Sequence, residues 1–324
     1  MKLNNLNNAQ IINILWLIFV TSLTLGIVIP TDSIFNHFLS AHAISIMLLF
    51  LGVGFMGLVF RNNLVIFSNF LACIVLCSFI KESLTQEFTY STPTDDIQIR
   101  VAHLVLDNED EIANFDQSFK GLEANFLSIQ TPIEPSLEET LTKRLSAQMP
   151  YWKKIICNND LAMFVFSKYK LQNIDTLYYS GNNTVSLVGT MFIDSVHEEI
   201  SFLNTRVPID KGMRRQTEQH LAKLSNYINT NFQDKPLLTF SGTQLTSWTP
   251  ELQEFKNVHR LNDSEIDLQL ATRDEHIFYS KDLVCTAFDK FFDGNGVIAT
   301  YQFRAPSKAT AQHTYANGLE GAAL

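Results

Sequence analysis

The stretch Leu237 to Phe255, LLTFSGTQLTSWTPELQEF, is laid out like a reaction centre. Leu237–Phe240 reads as a short buried strand, Ser241-Gly242-Thr243-Gln244 as a tight loop, and Trp248-Thr249-Pro250-Glu251 as a helix start. Loops at strand ends often carry chemistry, because a rigid scaffold holds their side chains in reach of a ligand. This loop carries no charge. Other arrangements that would do chemistry are missing from the sequence: it has no GxxxxGK[ST] phosphate loop, no HExxH and no GxSxG. The four cysteines, Cys73, Cys77, Cys157 and Cys285, form no CxxC pair and have no histidine at metal spacing. His197 and His259 are isolated and read as surface residues, and Asn182-Asn183-Thr184 and Asn262-Asp263-Ser264 fit only a glycosylation pattern.

The elements around these residues divide in two. The chain has 324 residues, 46% of them hydrophobic, with a mean hydropathy of +0.04. That apolar excess is local. Residues 1–82 hold five charged side chains, Lys2, Asp32, Arg61, Lys81 and Glu82. Removing them from the 24 basic and 33 acidic residues of the chain leaves 21 and 31, a net charge of −10. Such an acidic remainder is a poor match for nucleic acid, whose phosphates are held largely by Lys and Arg.

Three runs in the first part approach the roughly 20 residues a helix needs to cross a hydrocarbon core. They are Ile11–Pro30, Ala43–Phe60 and Leu64–Ile80, so residues 11–80 predict a partner in the lipid bilayer. Only Arg61-Asn62-Asn63 separates the second from the third, which predicts a tight helical hairpin. Lys2 and Arg61 favour the N-terminus and second loop inside, which puts the C-terminal domain outside the cytoplasm.

Residues 83–96 read as a linker, with Thr92-Pro93-Thr94-Asp95-Asp96 at its end. Strand patterns then recur at 97–106, 125–130, 161–167, 184–193, 199–206, 236–240, 275–280 and 296–303. Helical patterns lie between them, at Glu109–Leu122, from Pro135, and at Met213–Asn231, where Met213, Thr217, Leu221, Leu224 and Ile228 share one face. Strands interleaved with fewer helices predict an α/β domain over 97–304 with sheets covered by helices. Residues 305–324 lack periodicity and read as a tail.

The order of these segments resembles the endonuclease/exonuclease/phosphatase family, in its bacterial membrane-anchored branch with N-terminal transmembrane helices. Ile99-Arg100-Val101-Ala102-His103 looks like its opening strand, and Asn125–Gln130 like the second, which normally ends in a metal-binding Glu. Phe166-Ser167-Lys168-Tyr169-Lys170-Leu171 is similar to its S-[RK]-[YF]-P turn. Phe202–Pro208 resembles the strand with its central His, and Arg215-Gln216 the start of its long helix. The opening stretch resembles the G-D-F-N segment with its following W-S-P helix start. Glu275–Ser280 looks like the [IV]-D-[HY]-I-F strand, and Asp293–Thr300 like the closing S-D-H-x-P-V strand. The resemblance implies a two-sheet α/β sandwich flanked by helices, behind three transmembrane α-helices.

It also implies phosphoester hydrolysis, which needs a hard divalent cation held by carboxylates, a base for water, and donors for the phosphoryl charge. Residue by residue, this sequence departs from that set. The opening-strand Asn falls on Leu104 or Val105, with Asn108 close by; the metal-binding Glu falls on Thr131; the central His falls on Arg206. In the G-D-F-N segment Ser241, Gly242 and Gln244 replace Gly, Asp and Asn, and the closing His falls on Gly294. Glu275 beside His276, and Asp293, keep acidic positions. The expectation is a membrane-anchored, catalytically degenerate member acting as an interaction or scaffold module for a protein partner, without a cofactor. The alternative is a hydrolase rebuilt from Asn108, Arg206, Glu275, His276 and Asp293, using Mg²⁺ or Mn²⁺ on a phosphodiester or phospholipid. Either is expected in a bacterial inner membrane.

Overall fold

A computed structural model describes residues 8–29, 38–40, 42–83, 90–94, 96–106, 122–133, 135–158, 161–178, 185–206, 214–232, 235–242, 249–265, 275–292 and 295–304. The helix expected at Glu109–Leu122 and the tail at 305–324 fall almost wholly outside these residues.

The apolar runs form α1 (Asn8–Val28), α2 (Ala43–Phe60) and α3 (Asn63–Ser83). All three are long and apolar enough to cross a membrane. Arg61 ends α2 in the left-handed conformation, φ 52°, so the chain reverses within two residues and α3 packs back on α2. Gly57 permits that approach: a Cβ there would lie 3.0 Å from Ile66 Cγ1. Cys73 is buried between these helices, and Cys77 is exposed.

After the linker come β1 (Ile99–Val105), β2 (Phe126–Pro132), α4 (Pro135–Leu145), β3 (Tyr151–Asn158), β4 (Leu161–Ser167), β5 (Lys170–Tyr178), β6 (Val185–Ile193) and β7 (Glu198–Arg206). Then follow α5 (Arg214–Asn231), β8 (Leu237–Gly242), α6 (Pro250–His259), β9 (Leu261–Asp263), β10 (Glu275–Ser280), β11 (Leu283–Phe291) and β12 (Gly296–Phe303). The strands make two six-stranded sheets, ordered β11-β12-β1-β2-β4-β3 and β5-β6-β7-β8-β10-β9. Each sheet is mixed, with one parallel pair, β1–β2 in the first and β7–β8 in the second.

Alternation along the interior strands sorts side chains into layers. Between the sheets lie Val101, Phe126, Val165, Phe202, Phe240 and Ile277, all buried. Phe126 stacks on Phe240, with ring centroids 5.1 Å apart, and meets Phe202 at the same distance. Truncating such a ring to alanine costs about 3–5 kcal/mol, so this seam holds the two sheets together. Leu141 and Leu145 of α4 cover the outer face of the first sheet. Leu221, Leu224 and Ile228 of α5, with Leu252 and Phe255 of α6, cover that of the second. In α6, Thr249 takes the extended N-cap conformation with Pro250 following, as the Trp248-Thr249-Pro250-Glu251 pattern predicts.

Candidate functional site

The parallel pairs β1–β2 and β7–β8 end on the same side of the sandwich, because a side chain from the end of β2 reaches the end of β7. Gln130 is fully buried, and its Nε2 donates to Asn204 Oδ1 and to the Thr205 carbonyl, each at 2.8 Å. This is the end at which the family resemblance expects the catalytic cleft.

Strand register fixes which neighbours share a face. Arg206 stands opposite Gly242, and Gly242 opposite Glu275, so the three form one row across β7, β8 and β10. Phe240 and Ile277, two residues before Gly242 and two after Glu275, face the other sheet, so the row faces it too. The structure thus brings together three of the positions singled out in the sequence. Arg206 and Glu275, one strand either side of Gly242, are about 10 Å apart by strand spacing. Glu275 is buried and Arg206 half-buried. Burial pushes the Cys157 thiol up to about 12, and the Arg206 charge opposes that shift, which places the guanidinium within electrostatic reach of the inter-sheet core.

Gly242 is closely covered by a side chain of the other sheet. A Cβ on it would fall 2.1 Å from Gln130 Oε1 and 2.9 Å from Gln130 Cδ. The amide group of Gln130 therefore occupies the space into which any side chain at 242 would project. Gln130 Oε1 and Asn204 Nδ2 are buried without a hydrogen-bond partner among the described residues. Deeper in the same layer, His103 is fully buried, with Nδ1 3.1 Å from Ser128 Oγ and its ring 5.8 Å from that of Phe240.

Other singled-out residues stand elsewhere. Thr131 pairs in register with Ala162, and both fall on the outer face with Leu127 and Ile129. Its hydroxyl lies behind the sheet that bounds the cleft. His276 is likewise on the outer face of the second sheet, its ring 5.4 Å from Phe278 and its Nδ1 3.5 Å from Asp263 Oδ2. The buried Lys256 ammonium lies 5.8 Å from the Phe278 ring centroid; burial lowers its pKa, and Asp263 acts the other way. Thr205 points outward too, with Oγ1 2.7 Å from His220 Nε2. Burial lowers His220 to about 3, so it is neutral at pH 7. His259, expected at the surface, is half-buried with Nε2 2.8 Å from Ser225 Oγ. Asn108, Gln244 and Asp293 lie outside the described residues.

Sequence reasoning passed over Gln130, although a signal was there: counting by two from the apolar Phe126 reaches Ser128 and Gln130, whereas Thr131 falls on the other face.

What can this arrangement hold? A hard divalent ion takes six or more oxygen ligands, with carboxylates prominent among them. Among the described residues the cleft row offers one carboxylate, Glu275, beside a guanidinium, and one uncommitted amide oxygen, Gln130 Oε1. No group of three or more His, Cys, Asp or Glu able to hold a metal exists among the described residues. The described residues by themselves do not supply the donor set that Mg²⁺ or Mn²⁺ takes.

No protein-family model and no curated protein matches the sequence. Solved structures do. A Bacteroides vulgatus endonuclease/exonuclease/phosphatase is 10% identical, with a TM-score of 0.51 over 64% of this chain and 100% of that one. The human Nocturnin catalytic domain, solved with a bound sulfate anion, is 15% identical, with a TM-score of 0.50 over 64% of this chain and 96% of that one. D. rerio TDP2, solved with a single-strand DNA product, is 10% identical, with a TM-score of 0.51 over 64% of this chain and 100% of that one. Likeness at such low identity carries architecture alone. The chain has the endonuclease/exonuclease/phosphatase fold, placed after three helices long and apolar enough to span a membrane.

Proposed function

We propose that three N-terminal helices anchor this protein in a bacterial inner membrane, with the sandwich on the extracytoplasmic side as an interaction or scaffold module for a protein partner. In this proposal the phosphoesterase fold is kept and its hydrolytic chemistry is lost. The observation that carries the proposal is Gln130, whose amide fills the space beside Gly242 and ties β2 to β7. A carboxylate cannot be added at 242 without displacing it.

Physical chemistry supports the loss. An amide oxygen is a weak ligand beside carboxylate for Mg²⁺, which gives up its water reluctantly. Arg206 cannot act as a base near neutral pH, since its pKa exceeds about 12. Losing a general base alone costs a factor of about 10²–10⁴. One observation favours the rebuilt hydrolase: Glu275 and Arg206 flank Gly242, a carboxylate and a cation on one cleft face.

The test is turnover of a generic phosphodiester by the full chain in nanodiscs, with and without Mg²⁺ or Mn²⁺. No metal-dependent turnover is expected, and Gly242→Asp alone restores none. Metal-dependent turnover that Glu275→Ala abolishes would establish the rebuilt hydrolase instead.

A further inference from the structure

The opposite end of the sandwich carries a second polar site. A cleft of about 260 Å³ opens there between the ends of α5 and α6, the start of β8 and the turn from β10 to β11. Three exposed cations from three separate elements line it: Lys235 before β8, Arg260 at the end of α6, and Lys281 in the turn. Asp282 is the one acidic group in the lining, and Ser280 Oγ donates to its Oδ2 at 3.3 Å. His259 also lines the cleft, but burial lowers its pKa, so it adds no charge at pH 7.

The formal charge of the lining is therefore +2. Two helix C-termini point into it, each equivalent to roughly −0.5 charge. About +1 remains, which leaves the cleft attractive to an anion although the domain as a whole is acidic. The geometry is suited to more than a bare ion, since Phe232 and Val258 add an apolar wall. Arginine and lysine together are the usual pair for a phosphate oxygen cluster, the first through its fork and the second as a point charge.

Position supplies the second argument. The segment that follows the membrane helices docks beside this end: the Ser91 N–H donates to the Cys285 carbonyl at 3.3 Å, near the start of β11, and Tyr90 Oη donates to the Ser264 carbonyl at 3.1 Å, level with the middle of β10. Asp282 in the cleft wall accepts the Arg304 N–H through its carbonyl at 2.9 Å, where β12 also ends. Seven chain steps separate Ser83, the last residue of α3, from Tyr90. At about 3.5 Å each they reach about 25 Å. The docked segment therefore begins within about 25 Å of the end of α3.

We propose that the Lys235–Arg260–Lys281 cleft binds the phosphate of an anionic lipid headgroup, one whose charge no choline ammonium offsets, so that the domain grips the bilayer at a second point and its cleft end is turned away from the membrane. The recognised chemistry is a phosphate ester anion, which a free phosphate shares with a lipid headgroup. This site is independent of whether the cleft end has lost its hydrolytic chemistry.

Amide hydrogen exchange on the full chain tests it, read on peptides covering 235–242 and 275–285. The samples are nanodiscs of phosphatidylcholine, nanodiscs of phosphatidylglycerol, and phosphatidylcholine nanodiscs with added inorganic phosphate. Exchange about tenfold slower in phosphatidylglycerol is expected, the protection that follows when bound exceeds free about tenfold. The variant Lys235→Gln/Arg260→Gln/Lys281→Gln loses that protection while its remaining peptides exchange as in the parent. Equal protection by inorganic phosphate assigns the site to phosphate from solution and keeps the anion site. Identical exchange in all three samples, or protection that survives the triple variant, overturns the proposal.

Discussion

The two ends of the sandwich handle polar groups in opposite ways. At the cleft end, Gln130, Asn204 and Glu275 are turned inward and buried, and the amides hold one sheet to the other. At the opposite end, beside which the segment from the membrane helices docks and which is therefore the anchor end, Lys235, Arg260 and Lys281 are exposed around an open cleft. Between them runs an aromatic seam that either end would need for folding. Polar groups that are buried and paired rigidify a structure, and removing one partner costs the desolvation of the other. Exposed charges contribute little to stability. The difference teaches that, among the described residues, Gln130 and Asn204 at the cleft end are committed to holding the sheets together, whereas Lys235, Arg260 and Lys281 at the other end are exposed.

Acid should break this contrast first. His220, against Thr205 at the cleft end, has its folded pKa lowered from 6.5 to about 3. The unfolded chain takes up the proton below 6.5 and the folded chain does not, so stability is intact above that pH. It then falls by about 1.4 kcal/mol per pH unit toward 3. Urea midpoints measured between pH 7 and 4 should show this slope, and His220→Gln should flatten it. A smaller effect, about 2 kcal/mol of destabilisation, is expected for Gly242→Ala, because its methyl displaces a hydrogen-bonded, fully buried Gln130. A Gln130→Ala background should remove most of that penalty, giving a coupling energy of about 1 kcal/mol or more by double-mutant cycle. The smallest effect belongs to the anchor end. The triple glutamine variant of Lys235, Arg260 and Lys281 should unfold within about 0.5 kcal/mol per substitution of the parent, as exposed sites do.

Sequence and structure agree strand by strand in an instructive way. The eight strand patterns read from the sequence became β1, β2, β4, β6, β7, β8, β10 and β12, which are the interior strands of the two sheets. The four that escaped, β3, β5, β9 and β11, are the four edges. Interior strands are covered on both faces and read as near-continuous apolar runs, as in VSLVGTMFI of β6. Edge strands carry polar and charged residues that block further pairing, as in KLQNIDTLY of β5, and so look like loops. The candidate site was legible in part. Arg206, Gly242 and Glu275 fell into one row because a strand end fixes its own register. Gln130 was not found, because its role depends on a partner 74 residues away and on the gap left by a glycine in another sheet.

The central claim concerns the cleft end, and metal binding tests it most directly. Mn²⁺ titrated into the full chain in nanodiscs, followed by calorimetry, should give no saturable heat, with the same trace from Glu275→Ala. A stoichiometric micromolar site in the parent that vanishes in Glu275→Ala would contradict the account.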